Sequence, residues 1–358
     1  MQIDMHYYGT YALARSAGLT IDAARIIATA AQFVDDNAQE TGLDFEDASS
    51  CDVEATAHHT KSIRNLDRDD QRKVWVPFHF LPGNEGDSFT EKLICRKDSL
   101  IAQQMRENHL SKSNRPYYLE LVGVMAHVYA DTFAHYGFSG VSSRKNKVDN
   151  KSFKFEGLNE RMTTYILGKK DNFFANFGNN YFRNIKSQFG EKASGGLGHA
   201  GVATFPDRPY LKWSFDYLND DLRVSSGLRD NTKTFLEYSK AMHNAFSLIA
   251  ENNLSYQDKS QFREWDELEP EVLNILEVQG KKDERIKAWK DATHSGNLFN
   301  LQEKIPAYED WNSVFENLKN TKPELAFKEP VYRFYQAASY HRWYVLRELL
   351  PNHGLMVI

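Results

Sequence analysis

The chain has 358 residues, of which 41% are hydrophobic and 26% charged, a composition typical of a globular protein with a sizeable core. Its formal net charge of -5 argues against broad, charge-driven binding of nucleic acid, which requires a basic surface. The two cysteines, Cys51 and Cys95, do not form a Cys-x-x-Cys pair. This argues against a thiolate zinc site and against a disulfide framework.

The N-terminal half is predicted to be helical, with one extended segment. Residues 37–60 are polar and are predicted to be largely irregular. The segment 74–82, VWVPFHFLP, combines β-like composition with two prolines and is predicted to be extended. Apolar residues at helical spacing predict helices over 5–18, 88–110 and 117–136. They also predict a helix that begins after a cap at Thr20 or Asp22 and ends at Asp36.

The C-terminal half is also predicted to be helical. Residues 190–213 are rich in Gly and Pro and predict a long loop. The run QGKKDERIKAWKD is predicted to be a solvated helix face. Because alternating strand patterns are almost absent, the predicted fold class is mainly α. Helices are predicted over 157–190 with a break at Gly178, and over roughly 228–252, 258–277, 281–292, 309–319 and 329–349.

The sequence shows neither a secretory signal nor a membrane span. The first 18 residues lack a basic start followed by an apolar run. No stretch approaches about 18 uninterrupted apolar residues. We therefore expect a protein made in the cytosol, which reaches any other location only by a signal-independent export route.

The strongest motif is LVGVMAHVYADTFAHYGFSG, residues 121–140. His127, Asp131 and His135 recur every four residues, so on a helix they fall within an arc of about 80°. Glu120 lies on the same side. Gly123 and other small residues flank this face and leave room for a metal cluster or for another backbone. The remaining sides are apolar, so this helix is predicted to be buried.

Burying a carboxylate and two imidazoles without partners is costly. A divalent cation removes this cost because it binds ionised carboxylate and neutral imidazole. The alternative is a buried His–Asp–His hydrogen-bond network. Zinc or a similar metal suits these ligands, and one helix face cannot complete its coordination. Candidates for the remaining ligands are His6, Asp35, Asp36, His58, His59, His199 and Asp207.

The order of these residues resembles that of the zinc-dependent phospholipase C and nuclease superfamily, and most closely a bacterial branch of zinc metallophospholipase C-like proteins. The blocks HYYGTYALARSAG, QFVDDN, HVYADTFAHYGFSG and GHAGVATFPDRPY carry this resemblance over roughly residues 3–215, together with HRWYVLRELLP near the C-terminus. The resemblance implies a multi-helix bundle with long loops. It also implies a single metallohydrolase domain over 1–358, with a loop-rich insertion at about 140–215.

Carried over position by position, the resemblance also implies a cluster of two or three zinc ions, or of other divalent metals. Asp35 would serve as a ligand or as the catalytic base. The implied metal ligands are His6, Asp35, His59, His127, Asp131, His135 and His199.

Two positions depart from the family pattern. Better-known secreted members use the amino group of a mature N-terminal tryptophan as a ligand, whereas this chain begins with Met1 and has no cleavage signal. Asp4 is the candidate replacement. Those members also carry a glutamate four residues after the later histidine. Ala203 stands at that position here, so Asp207 is the candidate substitute or the third metal is missing.

The implied activity is phosphodiester hydrolysis, with a phospholipid as the first substrate class and transient membrane-surface contact compatible with it. Arg208 is a candidate phosphate-binding residue, although a surface role is an equal alternative. Two other functions stay open. One is hydrolysis of nucleotides or nucleic acid, for which the sequence shows no strong basic signal. The other is a non-catalytic helical protein with a structural metal, whose coordination would be closed.

Overall fold

The computed structural model describes residues 1–58, 63–176, 197–219, 222–299 and 303–358, and the fold is mainly α, which confirms the predicted class. A π-helix over Asp4–Gly9 leads directly into the first α-helix. The α-helices, in chain order, are α1 (Thr10–Ser16), α2 (Ile21–Asp36), α3 (Arg68–Asp70), α4 (Val76–Phe78), α5 (Phe89–Lys92), α6 (Leu100–Leu110), α7 (Tyr118–His135), α8 (Glu160–Asn176), α9 (Asn231–Asn252), α10 (Trp265–Leu276), α11 (Lys282–His294), α12 (Trp311–Leu318), α13 (Pro323–Ala326), α14 (Pro330–Tyr344) and α15 (Leu350–Asn352).

Shorter helical turns connect these elements. The π-helical turns are Gln71–Trp75 and Val345–Leu349, and the 3₁₀ turns are Ile63–Leu66, Arg144–Asn146, Ala200–Val202, Leu254–Tyr256 and Lys259–Gln261.

Helix α7 is the centre of the molecule, and α2, α6, α9 and α14 pack around it. From Glu120 to His135 every residue is buried, as its near-continuous apolar sequence predicts. Gly123 allows α2 to approach closely. A Cβ atom at Gly123 would lie 2.5 Å from both the Ala30 Cβ and the Ile27 carbonyl oxygen. The small residue at this position therefore makes room for a neighbouring backbone.

The strands form three small antiparallel sheets beside this helical body. β1 (Leu43–Asp44) pairs with β2 (Ser50–Cys51). β5 (Asp216–Asn219) and β6 (Leu222–Ser225) form a second pair. The third sheet has the order β3-β4-β7, with β3 at Lys154–Glu156, β4 at Lys212–Ser214 and β7 at Arg229–Asp230.

An aromatic cluster links these strands to the C-terminal end of α7. The ring of Phe138, three residues after that helix ends, stacks on Phe215 at 5.8 Å. Phe215 in turn stacks on Trp213 of β4 at 5.2 Å. The residues that follow His135 are therefore held by the strand layer.

Three local predictions are wrong. Segment 74–82 was predicted to be extended, yet residues 68–78 are helical and a turn follows. Asp67 caps this stretch by accepting hydrogen bonds from the backbone N–H groups of Asp69 and Asp70, which outweighs the β-like composition. The single helix predicted over 88–110 is divided into α5 and α6, and Asp98 between them has a positive φ of 48°.

The prediction of a solvated face over the run QGKKDERIKAWKD is also wrong for part of α11. Arg285 and Trp289 of this helix are buried. These two positions are buried because the helix packs on the N-terminal π-helix through them. The charge-rich composition of the run gave no sign of this contact. Among the described residues, no helix combines the length and the apolar character that a membrane span requires.

Candidate metal centre

Helix α7 brings His127, Asp131 and His135 to one buried face. Asp131 lies at the centre, because its Oδ2 atom is 3.3 Å from His127 Nε2 and 3.4 Å from His135 Nδ1. Residues four positions apart lie on the same face of an α-helix, so the sequence spacing itself produces this arrangement. Glu120, on the same side further back, joins no group of potential metal ligands among the described residues.

The N-terminal segment supplies two further groups to Asp131. The Met1 amino nitrogen lies 2.6 Å from Asp131 Oδ1 and 3.4 Å from Asp207 Oδ1. His6 Nε2 lies 3.4 Å from Asp131 Oδ1. The ring of His6 also stacks on that of His127, with centroids 3.9 Å apart. The packing of the π-helix Asp4–Gly9 against α2 and α7 holds His6 in this position.

Asp35, in the last turn of α2, lies at the open side of the cluster. Its side chain is 33% exposed. Its Oδ1 atom lies 3.9 Å from His127 Nε2, and its Oδ2 atom lies 3.9 Å from His6 Nε2. The carboxylate therefore faces the buried histidines on one side and solvent on the other.

His79 is a member of the cluster that the sequence did not identify. Its Nδ1 atom is 3.3 Å from Asp131 Oδ2, 3.2 Å from His127 Nε2 and 3.8 Å from Asp35 Oδ1. The segment around it was interpreted as extended, and His79 lies in the turn that follows α4. A helical reading of this segment would have placed His79 at the end of a buried helix and given the missing signal.

A second part of the cluster lies at the C-terminal end of α7. Asp207 Oδ1 is 3.1 Å from His135 Nε2, and Asp207 Oδ2 is 4.0 Å from His199 Nε2. The His135 and His199 rings lie 4.4 Å apart. Asp207 thus stands where the sequence analysis placed a substitute for the family glutamate, whose own position is Ala203.

Four of the histidines are oriented by the main chain. A carbonyl oxygen can only accept, so the ring nitrogen facing it carries the proton and the other nitrogen has a free lone pair. Outer partners of this kind orient metal-ligating histidines in proteins. The donor-to-acceptor distances are 2.8 Å for His79 Nε2 to Thr56, 2.7 Å for His127 Nδ1 to Ala31, 3.0 Å for His135 Nδ1 to His79, and 2.8 Å for His199 Nδ1 to Ala203.

The free nitrogens then face carboxylate oxygens and one another. The unprotonated atoms His79 Nδ1 and His127 Nε2 are 3.2 Å apart. Each of them lies 3.3 Å from Asp131 Oδ2. The Met1 ammonium donates to Asp131 Oδ1, and the His135 Nδ1–H is donated to the His79 carbonyl, so the two unprotonated nitrogens have no donor between them. Because facing lone pairs repel, the arrangement fits a cation among these atoms.

The surroundings of His6 also fit a cation bound at this cluster. Neither ring nitrogen of His6 has a hydrogen-bond partner, although the side chain is fully buried. Nearly all buried polar atoms in proteins are partnered, so a histidine with two unpartnered nitrogens requires a reason. Ligation of a metal by one of them supplies that reason.

The protonation states suit metal binding as well. Burial lowers the pKa of His6 to about 3 and that of His199 to about 4, which leaves both imidazoles neutral. Burial alone would raise the pKa of Asp131, but His135, the Met1 amino group and His127 hold it well below its usual range. Burial also opposes the charge on the Met1 amino group, yet Asp131 and Asp207 raise its pKa to about 11.

Comparison with known proteins gives the family of the chain. The model of DUF6765, a family of unknown function, matches residues 1–349. This chain belongs to the DUF6765 family. No match was found among curated proteins or among solved structures.

Two aspartates considered as additional ligands in this DUF6765 protein lie outside the cluster. Asp4 pairs with Arg285, whose Nε atom is 2.6 Å from Asp4 Oδ2. It joins none of the ligand groups that the described residues form. Asp36 accepts hydrogen bonds from Tyr308 at 2.7 Å and from Gln32 at 3.0 Å. Both carboxylates are satisfied by protein groups.

The His58–His59 pair is only partly described. His58 Nε2 lies 3.1 Å from Asp70 Oδ2, and His58 Nδ1 lies 3.7 Å from Glu40 Oε1. His58 joins none of the ligand groups that the described residues form. His59, the remaining implied ligand, lies outside the described residues.

Arg208 is buried rather than on the surface. Its Nη2 atom donates to Thr204 Oγ1 at 3.1 Å, and its guanidinium carbon lies 5.3 Å from the centre of the Tyr165 ring. Arg208 thus follows Asp207 directly in the chain, but its guanidinium is packed against protein groups.

Proposed function

We propose that this DUF6765 protein is a metal-dependent phosphodiester hydrolase, most similar in chemistry to phospholipase C, with a zinc cluster at its centre. One observation carries the proposal. Three groups of donors lie around the buried face of α7 that carries His127, Asp131 and His135, and the donor atoms within each group lie within 4.8 Å of one another. The groups are His6–His127–Asp131, Asp35–His79–His127 and His135–His199–Asp207.

Imidazole and carboxylate donors without thiolates favour zinc or a related borderline metal. His127 belongs to two of the groups but has only one unprotonated nitrogen, because its Nδ1–H is donated to Ala31. Two groups therefore share a single donor atom. We expect two or three ions per chain, with the third group, around His135, binding independently of the first two.

The exposure of Asp35 favours a catalytic centre over a structural one. Structural zinc sites are closed, whereas catalytic sites keep a position open to solvent. Asp35 is 33% exposed and the side chain of His199 is 20% exposed, while the remaining donors are buried. In this proposal a substrate would approach from the side of Asp35.

Divalent cations bound in such a site would supply positive charge to the phosphate oxygens and lower the pKa of a bound water toward neutrality. The residues of the chain have separate tasks. The four imidazoles that main-chain carbonyls orient would hold their positions as charge develops on the phosphate. Asp35, which faces solvent, would accept the proton of the attacking water at Oδ1 or Oδ2. Asp131 and Asp207 balance the positive charge of the centre.

The test is a zinc-loaded hydrolysis panel. Purified protein is loaded with zinc, its metal content is measured by elemental analysis, and release of phosphate esters is followed from phosphatidylcholine, phosphatidylglycerol and dinucleotides. We expect two to three zinc ions per chain and hydrolysis of a lipid. We also expect His127→Ala to lose at least one ion and nearly all activity. The matched control is His294→Ala, which changes an exposed histidine at the end of α11.

The outcomes separate the three functions. Lipid hydrolysis that survives His127→Ala would place the activity outside this centre. Hydrolysis of dinucleotides alone would favour the nucleotide alternative. Stoichiometric zinc with no hydrolysis of any substrate would favour a structural metal. Absence of bound zinc or of any other divalent metal would refute the cluster itself.

A further inference from the structure

Two buried histidines form a row of hydrogen bonds that ends on the helix before His79. His109 lies in the last turn of α6 and His341 lies on α14, and both side chains are fully buried. His109 Nε2 lies 2.9 Å from His341 Nδ1, and His341 Nε2 lies 2.9 Å from the Pro77 carbonyl oxygen. The row therefore joins α6 and α14 to the main chain of α4.

The proton positions in this row follow from its last member. The Pro77 carbonyl oxygen can only accept, so His341 Nε2 carries a proton. Burial lowers the pKa of His341 to about 4, so its ring is neutral and its Nδ1 atom accepts from the Nε2–H of His109. Burial also holds the pKa of His109 well below its usual value. The hydrogen bonds thus run in one direction, from His109 through His341 to Pro77.

His341 is not placed to bind a metal itself. Both of its ring nitrogens are engaged, one as a donor and one as an acceptor, so neither lone pair is free. It also joins none of the ligand groups that the described residues form. His6 differs, since neither of its ring nitrogens has a hydrogen-bond partner. His341 can therefore act on the metal centre only through the main chain that it binds.

The Pro77 carbonyl lies at the open end of a helical stretch. Residues 68–78 are helical, and the carbonyl groups in the last turn of a helix have no partner within that helix. His341 supplies a donor to one of these groups. The rings of His341 and Phe78 also lie close together, with centroids 5.1 Å apart. Helix α14 thus holds the end of α4 directly before His79.

Two donors of the metal centre depend on the position of this main chain. His79 Nδ1 lies 3.2 Å from His127 Nε2 and 3.3 Å from Asp131 Oδ2. The His79 carbonyl oxygen accepts a hydrogen bond from His135 Nδ1 at 3.0 Å. A shift of the segment would therefore move the His79 ring and release the ring of His135 from its orienting partner.

We propose that His341 is a positioning residue of the metal centre, which holds His79 and His135 in place through the Pro77 carbonyl, and that His109 fixes the tautomer of His341. This inference rests on the metal centre proposed above. Two buried imidazoles cost desolvation free energy that aliphatic side chains would not. Buried hydrogen-bond networks, however, rigidify the groups that they join, and functional side chains must be held within about 0.5 Å of their productive positions.

The test compares two replacements of His341 that differ in one donor. The amide nitrogen of glutamine reaches the place of imidazole Nε2, so His341→Gln can still donate to the Pro77 carbonyl. Asparagine is shorter and its amide lies near the place of Nδ1, so His341→Asn loses that bond. Zinc affinity is measured by competition with a chromophoric chelator. We expect His341→Asn to weaken zinc binding about 10–100-fold, the usual cost of losing an outer partner of a ligand, and His341→Gln to bind like the unchanged protein.

A control separates positioning from general stability. His243→Asn changes another buried histidine, on α9, which joins none of the ligand groups of the described residues. Its melting temperature should fall while its zinc affinity stays unchanged. Each affinity is measured at a temperature at which circular dichroism shows the metal-free variant to be folded, so a loss of stability alone does not alter it.

His109 carries the same comparison if His341→Asn does not fold. His109→Gln keeps a donor toward His341 Nδ1, whereas His109→Leu removes it and lets the proton of His341 move to either ring nitrogen. We expect weaker zinc binding in the leucine variant only. Equal affinities of these two variants would contradict the role given to His109.

The outcomes distinguish this inference from the proposed metal centre. Equal zinc affinity of His341→Asn and His341→Gln, or an equal loss in His243→Asn, would overturn the positioning role and leave the centre intact. An unchanged protein that binds neither zinc nor another divalent metal would overturn the centre and the positioning role together. Because the measurement is metal affinity, it does not depend on hydrolysis of any substrate.

Discussion

The buried pair between Asp4 and Arg285 is expected to anchor the N-terminal segment without binding metal. Arg285 contacts both Asp4 oxygens, Nε at 2.6 Å and Nη2 at 3.2 Å, and it also donates to Gln2 Oε1 at 2.6 Å and to the Gly280 carbonyl at 3.1 Å. Both charged side chains are almost fully buried. Replacing Asp4 by Asn leaves the guanidinium charge buried without its counter-charge.

The size of the effect follows from this burial. Removing one partner of a buried ion pair costs about 3–5 kcal/mol. An unfolding entropy of about 2.1 cal/mol/K per residue gives about 0.75 kcal/mol/K for the 358-residue chain. Asp4→Asn should therefore lower the melting temperature by about 4–7 °C.

The assay is thermal unfolding of the zinc-loaded protein followed by circular dichroism, with metal content measured on the same sample. The control is Asp291→Asn, which removes an exposed carboxylate paired with Lys287 on the same helix as Arg285. Exposed pairs contribute about 0–1 kcal/mol, so this control should shift the melting temperature by about 1 °C or less. Metal content should stay unchanged in both variants.

Two results would refute the reasoning. An Asp4→Asn protein with an unchanged melting temperature would show that the pair does not anchor the segment. A protein that loses one zinc ion per chain would show that Asp4 is a ligand, as the sequence alone suggested. Arg285→Gln combined with Asp4→Asn should be less destabilising than the sum of the single changes, because each single change leaves one charge uncompensated.

Three further outcomes are expected. His79→Ala should lose at least one zinc ion per chain by elemental analysis, whereas His294→Ala should lose none; equal content would exclude His79 as a ligand. Burial raises the pKa of Glu120 from 4.5 to about 7. The folded chain then holds this proton to a higher pH than the unfolded chain does. Stability is therefore lost as pH rises from 4.5 to 7, by about 3 kcal/mol. In urea, the free energy of unfolding of Glu120→Gln should equal that of the unchanged protein at pH 5 and exceed it at pH 8. An equal dependence of the two free energies on pH would contradict this. Gly123→Ala should destabilise by about 1–3 kcal/mol through overpacking, whereas Gly168→Ala, with nothing within 4 Å of its Cβ position, should stabilise by up to about 1 kcal/mol; similar effects would refute the close packing of α2 and α7.

Most helices could be predicted because their signals are local. The Thr20 cap and the apolar period of α2 lie within one stretch of sequence, and the structure begins that helix at Ile21 with Thr20 as its cap. The face of α7 followed from spacing alone. The later helices also appear close to their predicted positions, with shifts of several residues at some ends, where capping and packing compete.

The rest depended on contacts that are distant in sequence. Asp4 and Arg285 are 281 residues apart, and their pairing converts a charge-rich helix into a buried one. His79 was missed because the proline and aromatic residues around it outweighed the short helix that Asp67 caps. The position of the Met1 amino group beside Asp131 has no local signal, since it depends on how the N-terminal π-helix packs against the central helix.

The carbonyl oxygens that orient the histidine rings have a consequence for variation within the family. Each ring donates its hydrogen bond to a main-chain carbonyl oxygen. The bond therefore does not depend on the side chains at positions 31, 56 and 203. Relatives can exchange these residues and keep the same ligand geometry, provided that the local backbone path is unchanged. Alignments of DUF6765 sequences should then show that the histidines and aspartates vary less than these three positions, where only packing restricts the side chain, as at the buried Ala31 and Thr56.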